Sequence, residues 1–126
     1  MDPFADLIAS LSTDRDEHAG QLARVDLHRQ SRKGVPEVIY APGKNLEVIF
    51  RSMEELLSHS GRVIVSRPSP EIRGEIIARY NPRYHVIGNW SVAVEDPNIP
   101  LPVLDATVGI ITAGSSDWPI AEEAQL

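Results

Sequence analysis

The sequence predicts a chain of mixed α/β class, and three features carry that reading. Between Pro36 and Arg67 a short apolar run, an amphipathic stretch and a second apolar run follow one another, as strand, helix and strand do. Two β-rich runs then flank Gly88-Asn89, a two-residue hairpin signal. After three closely spaced prolines, Val108 to Thr112 is an uninterrupted apolar and β-branched run of the kind buried on both faces of a parallel sheet. Together these give an α+β amino-terminal domain with a βαβ unit and a hairpin, followed by the first strand, loop and helix of a parallel sheet.

The elements follow in order. Phe4, Leu7, Ile8 and Leu11 recur at i, i+3, i+4 and i+7 behind Asp2-Pro3, which predicts a short amphipathic helix. Asp14 with Glu17 resembles a capping box, opening a second helix that runs to about Lys33 and ends at Gly34. Asp26, Arg29 and Lys33 line up on it at i, i+3 and i+7, and their plain reading is a surface ion-pair stripe. Val38 to Tyr40 is a strand and Pro42-Gly43 a turn. Asn45 is an N-cap for a helix whose apolar face is Leu46, Ile49, Phe50, Met53 and Leu57. Gly61 closes it, and Arg62 to Ser66 is the next strand, so this unit reads as a right-handed βαβ. Beyond Pro68 and Pro70 a helix is expected from Glu71 to Tyr80 with Ile72 and Ile76 inward, stopped by Asn81-Pro82. Tyr84 to Ile87 and Trp90 to Val94 form the hairpin. Pro97, Pro100 and Pro102 then disfavour both helix and sheet and mark a stiff linker over 96–105, separating a first domain, 1–95, from residues 106–126.

Composition narrows the function classes. A chain of 126 residues, 42% hydrophobic, can bury one modest core. Its net charge of −6 argues against nucleic acid as a partner, although Arg24 to Lys33 and Arg62 to Arg83 are locally basic. From Asn89 to Leu126 there is no Lys or Arg, while Glu95, Asp96, Asp105, Asp117, Glu122 and Glu123 all fall there. There is no cysteine, hence no disulfide, no thiolate metal site and no Cys nucleophile in these residues. The start, MDPFADLIASL, is acidic where a signal peptide is basic, and no apolar run approaches the roughly eighteen residues that span a membrane. A cytoplasmic protein without a membrane partner is expected. His18, His28, His59 and His85 lack the spacing of a helical metal motif, so no metal site is expected. Trp90 and Trp118 read as core or domain-interface residues.

The chemistry-bearing segment is Ala113 to Asp117, with Pro119 at the start of a helix. Small residues let the backbone approach a ligand, and N–H groups at a helix start, with serine hydroxyls, suit a phosphate. Asp117 could accept from ribose hydroxyls. Ser116 or Asp117 reads equally well as a simple helix cap.

TAGSSDWPIAEEA resembles the opening of the domain shared by the aminoimidazole ribonucleotide carboxylase/mutase PurE and its relatives, where a Gly-Ser-x-Ser-Asp loop holds the substrate's ribose phosphate. ARVDLHRQSRKGVPEVIYAPGK, residues 23 to 44, and GRVIVSR, residues 61 to 67, resemble the amino-terminal domain of one branch, the nickel-pincer cofactor biosynthesis protein LarB, also known as a circadian phase modifier. The resemblance implies that residues 106–126 open a PurE-like Rossmann-type parallel sheet. It implies an enzyme that carboxylates nicotinic acid adenine dinucleotide at C5 of the pyridinium ring with CO2 and hydrolyses the phosphoanhydride, releasing AMP. The product is pyridinium-3,5-biscarboxylic acid mononucleotide. No tightly bound cofactor is implied, with magnesium assisting at the phosphates, and the full-length protein is expected to be an octamer.

Carried onto this sequence, the resemblance gives Ser116 and Asp117 the ribose and phosphate contacts, with Ser115 where relatives commonly have Thr. Gly114 stands where the purine enzymes have the first Ser, so one hydroxyl contact is absent. Asp26, Arg29, Arg32 and Glu37 match recurrent positions of the amino-terminal block, Arg29 and Arg32 being expected to face a dinucleotide phosphate. Lys44 matches too, but PGKN lacks the first glycine and the hydroxyl of a P-loop. The family's catalytic cysteine is expected beyond Leu126, making this chain the amino-terminal part of a longer enzyme and assigning it no catalytic residue. The alternatives are a free-standing nucleotide- or protein-binding regulatory module and a purine-pathway carboxylase or mutase relative.

Overall fold

Asn45 and Gly61 delimit the helix against which the sheet is assembled. In a computed structural model of the protein, which describes residues 25–28 and 36–126, α1 runs from Leu46 to Ser60. The Asn45 side chain accepts from the Val48 N–H at 2.9 Å, and Gly61, at φ 72°, donates its N–H to the Leu57 carbonyl. Both helix ends thereby find partners for groups that a helix leaves open. Ile49, Ser52, Met53, Leu56 and Leu57 are buried, the stripe of a helix lying on a sheet.

The sheet has four strands in the order β1-β2-β4-β3. β1 (Val38–Tyr40) pairs parallel with β2 (Arg62–Ser66), α1 forming the crossover. β4 (Val92–Glu95) pairs antiparallel with β2 on one side and with β3 (His85–Ile87) on the other. The expected mixed α/β class, with its βαβ unit and hairpin, is what forms. Val63 lies opposite Val94 and Val65 opposite Val92, so these four side chains share one face. With Ile39, Ala41 and the α1 stripe they make the core, which Ile76 and Tyr80 complete. Those two residues come from α2 (Pro70–Tyr80), where Ser69 accepts from the Ile72 N–H at 3.3 Å and Pro70 takes the first helical position. The Arg79 guanidinium pairs with Glu54 of α1 and lies 4.6 Å from the Phe50 ring centre.

Beyond β4 the chain doubles back on Gly61. Asp96 donates its N–H to the Gly61 carbonyl at 2.8 Å, and an Asx turn follows, the Asp96 carboxylate accepting from the Asn98 N–H and Nδ2, both at 2.9 Å. This sets Ile99 against Gly61, where a Cβ would come within 2.7 Å of the Ile99 side chain. A single 3-10 turn, Ser115–Asp117, leads into α3, Trp118–Gln125. No helix among the described residues is long and apolar enough to cross a membrane.

Four expectations are corrected. Residues 25–28 form a turn, with Leu27 N–H bonded to the Val25 carbonyl, rather than the middle of a helix; the capping box and Lys33 lie outside the described residues, as does the Phe4–Leu11 helix. The hairpin is looser than a two-residue turn, because residues 88–91 all lie between β3 and β4. The Asn89 and Trp90 N–H groups turn to the Glu122 carboxylate instead of joining the ladder. Val108 to Thr112 forms no strand, and Val108 and Ile111 are 84% and 95% exposed; no strand among the described residues lies beside it, and a strand needs a partner for its backbone. Trp90 and Trp118, 56% and 62% exposed, are not core residues.

Two substitutions test this packing. Met53→Ala, at a fully buried position, should cost about 2–5 kcal/mol in urea unfolding. Gly61→Ala combines a left-handed φ with the Ile99 contact and should cost about 1 kcal/mol or more, whereas Gly74→Ala, with open space at its Cβ, should not destabilise.

Candidate functional site

The last turn of α1 and the start of β2 form one wall of a pocket of about 410 Å³. α1 contributes His59 and Ser60, and β2 contributes Arg62. The opposite wall is Asp26 and His28 from the turn at 25–28, with Glu37 just before β1. The two imidazoles meet edge to face, with ring centres 5.8 Å apart. Arg62 is held in place by Glu95, Nε to Oε1 2.9 Å, and by the Leu126 carbonyl. Among the described residues no group of three His, Cys, Asp or Glu could hold a metal ion. The described lining offers hydrogen-bonding groups and charge.

Of the residues singled out from sequence, Asp26 and Glu37 come together on this pocket. Arg29 and Arg32 lie outside the described residues. Gly114, Ser115, Ser116 and Asp117 line none of it; all four are exposed, the last three as the 3-10 turn before α3. Gly114 is extended, at φ −161°, with ordinary space for a Cβ, so its backbone does not demand glycine. The reading of Ser116 or Asp117 as a helix cap does not hold: α3 starts with no side-chain cap bond. None of the three side chains from Ser115 to Asp117 makes a hydrogen bond within the described residues. Two hydroxyls and a carboxylate are thus presented to solvent at a helix start. Lys44 has a local use, its Nζ donating to the Tyr40 carbonyl at 2.6 Å across the turn after β1.

Sequence reasoning missed the polar seat of α3. Glu122 Oε1 accepts from the Asn89 N–H at 3.1 Å and from Asn89 Nδ2 at 2.9 Å, while Oε2 accepts from the Trp90 N–H at 2.7 Å. Glu123 Oε2 accepts from the Ser66 hydroxyl at 2.7 Å and also from the Ser91 hydroxyl. Ser66 and Ser91 are buried. The Trp90 N–H, above all, holds the Glu122 carboxyl below its ordinary value, with the Asn89 donors and the nearby Arg73 acting in the same direction against partial desolvation. The one sequence signal was two adjacent glutamates on a short helix in a tail devoid of Lys and Arg, which left them without local cationic partners.

A short parallel βαβ unit widened by an antiparallel hairpin, with helices α1 and α2 on one face, defines an α+β domain. The family model described as LarB/PurE-like N-terminal domain matches residues 17–93, more than half of the chain, and the chain belongs to that family. It is similar to an uncharacterized protein of Methanocaldococcus jannaschii, 30% identical over 115 residues. That match covers 86% of this chain and 44% of the relative, so the chain spans less than half the relative's length. The family match ends within β4, at Ala93, and Gly114–Asp117 lies outside it.

The Glu122 geometry sets a pH dependence. A carboxyl held below its ordinary value of 4.5 contributes fully to α3 docking above that pH and loses the contribution as pH falls through the depressed value. The Asn89 and Trp90 amide resonances should therefore titrate together with a midpoint below 4.5, and Glu122→Gln should abolish that titration. A midpoint at or above the ordinary value would contradict the geometry.

Proposed function

We propose that this chain is the amino-terminal part of a pyridinium-3,5-biscarboxylic acid mononucleotide synthase serving nickel-pincer cofactor assembly. The observation that carries the proposal is its membership of the LarB/PurE-like N-terminal domain family over residues 17–93. On this reading the complete enzyme replaces the hydrogen at C5 of the pyridinium ring of nicotinic acid adenine dinucleotide with a carboxylate from CO2, releasing that hydrogen as a proton. Water then cleaves the phosphoanhydride to give AMP and the mononucleotide. The chain has no cysteine, so the family's covalent step is assigned to the rest of the enzyme.

What this chain contributes is binding. The Ser115 and Ser116 hydroxyls and the N–H groups at the start of α3 suit the phosphate, and Asp117 suits the ribose hydroxyls. Their side chains make no competing hydrogen bonds within the described residues. Gly114 admits the ligand without adding a hydroxyl. The exposed Asp117 carboxylate is also a hard oxygen donor of the type magnesium takes beside phosphates. Asp26 and Glu37, which line the α1 pocket, are assigned to the second half of the dinucleotide, and Arg29 and Arg32 to one of its phosphates.

Calorimetric titration of the complete polypeptide with nicotinic acid adenine dinucleotide tests this. Asp117→Ala should weaken binding about tenfold or more, a loss of about 1.4 kcal/mol, and Ser116→Ala should weaken it less. Equal affinity of wild type and Asp117→Ala would remove the loop from the site.

A further inference from the structure

We infer that Glu122 and Glu123 are positioning residues, which clasp the open face of the amino-terminal sheet and thereby fix the Gly114–Asp117 loop in place. This deepens the reading of that loop as a nucleotide site and rests on it. Between Ile99 and Asp117 the chain makes no backbone hydrogen bond to the rest of the protein within the described residues, and residues 101–111 are exposed. Within the described residues the loop is therefore tethered on its downstream side, through α3.

α3 in turn is not seated by apolar packing. None of its residues is buried, and Trp118 and Ile120 are both more than half exposed. Its attachments are polar: the two carboxylates, and the Leu126 carbonyl just past its end, which accepts from Arg62. Adjacent helical residues point about 100° apart, so the two carboxylates reach different anchors. Glu122 takes the main-chain N–H groups of the β3–β4 connection. Glu123 takes two hydroxyls on neighbouring strands, Ser66 at the end of β2 and Ser91 just before β4. Two anchors in different directions fix the rotation of a short helix about its axis as well as its position. The loop joined directly to its first turn is fixed with it.

The anchors are themselves tied to neighbouring elements. Arg67, at φ 50°, donates its N–H to the Ser91 hydroxyl at 3.4 Å, and Arg73 of α2 donates to the Gly88 carbonyl at 3.2 Å. On the far side of the clasp Glu123 thus meets two buried hydroxyls at the sheet, and Glu122 meets a connection that Arg73 ties to α2.

The test uses two variants that approach the clasp from opposite sides, Glu122→Ala/Glu123→Ala and Ser66→Ala/Ser91→Ala. The latter substitutes no residue of α3 or of the loop. In the 126-residue chain, backbone order parameters of residues 114–118 should fall in both, from rigid values of about 0.85 towards 0.6, while amide shifts of β1, β2 and β4 away from the substitutions stay in place. In the complete polypeptide, affinity for nicotinic acid adenine dinucleotide should fall about tenfold, and Glu123→Gln, which keeps an accepting oxygen, should recover part of it. Unchanged order parameters in both variants would overturn the clasp whether or not the ligand binds. A mobile loop with unchanged affinity would overturn its positioning role. Loss of loop order in a protein whose wild type ignores the dinucleotide would support the clasp and sink the functional reading instead.

Discussion

The register between β2 and β4 is the constraint on which the molecule depends. With Val63 opposite Val94 and Val65 opposite Val92, one face of the sheet is valine and takes α1 and α2. The other face then carries Arg62, Ile64 and Ser66 on β2, opposite Glu95 and Ala93 on β4. A slip of one residue would exchange the faces, placing an ion pair and a serine under Met53 and setting valines against α3. Core and polar seat are thus two consequences of a single alignment. The alignment is chosen by the apolar face, because burying four valines is worth several kcal/mol against leaving them in water.

How much of this was legible follows from how local each signal is. β1, α1 and β2 could be read to the residue, since Asn45, Gly61 and the spacing of Ile49, Met53 and Leu57 act within a few positions of one another. The hairpin was legible as a pairing but not as a turn. Gly88-Asn89 favours a tight reversal, and the tertiary bonds from Glu122 to Asn89 and Trp90 accompany a wider one. Val108 to Thr112 shows the limit of composition, which indicates what a segment would do beside a partner strand and says nothing about whether that partner is there. The Asp26 and Glu37 positions could be named from resemblance, yet their convergence on one pocket with His28 and His59 could not. Glu123 meets residues 57 and 32 positions away, and no pattern within a window reaches that far.

Family membership and geometry speak to different stretches of the chain. The family match covers the sheet and its two packed helices, while the exposed hydroxyls and carboxylate of the loop fall after it. α3 joins the two, since it begins at the loop and ends against Arg62 of β2. The two carboxylates of the acidic tail that α3 carries serve as hydrogen-bond acceptors on the sheet domain, and under the proposed function that domain would support the loop as well as supply ligand contacts.

The two halves of the seat differ in how they can be lost by mutation. Glu122 is bonded to two main-chain N–H groups, and a main-chain donor survives every replacement at Asn89 or Trp90 except proline. Glu123 is bonded to two hydroxyls, each of which a single codon change can erase. Drift in the sheet domain would therefore wear away the Glu123 contact first and leave the Glu122 contact standing. Ser66 and Ser91 are therefore the positions at which the seat is most easily lost.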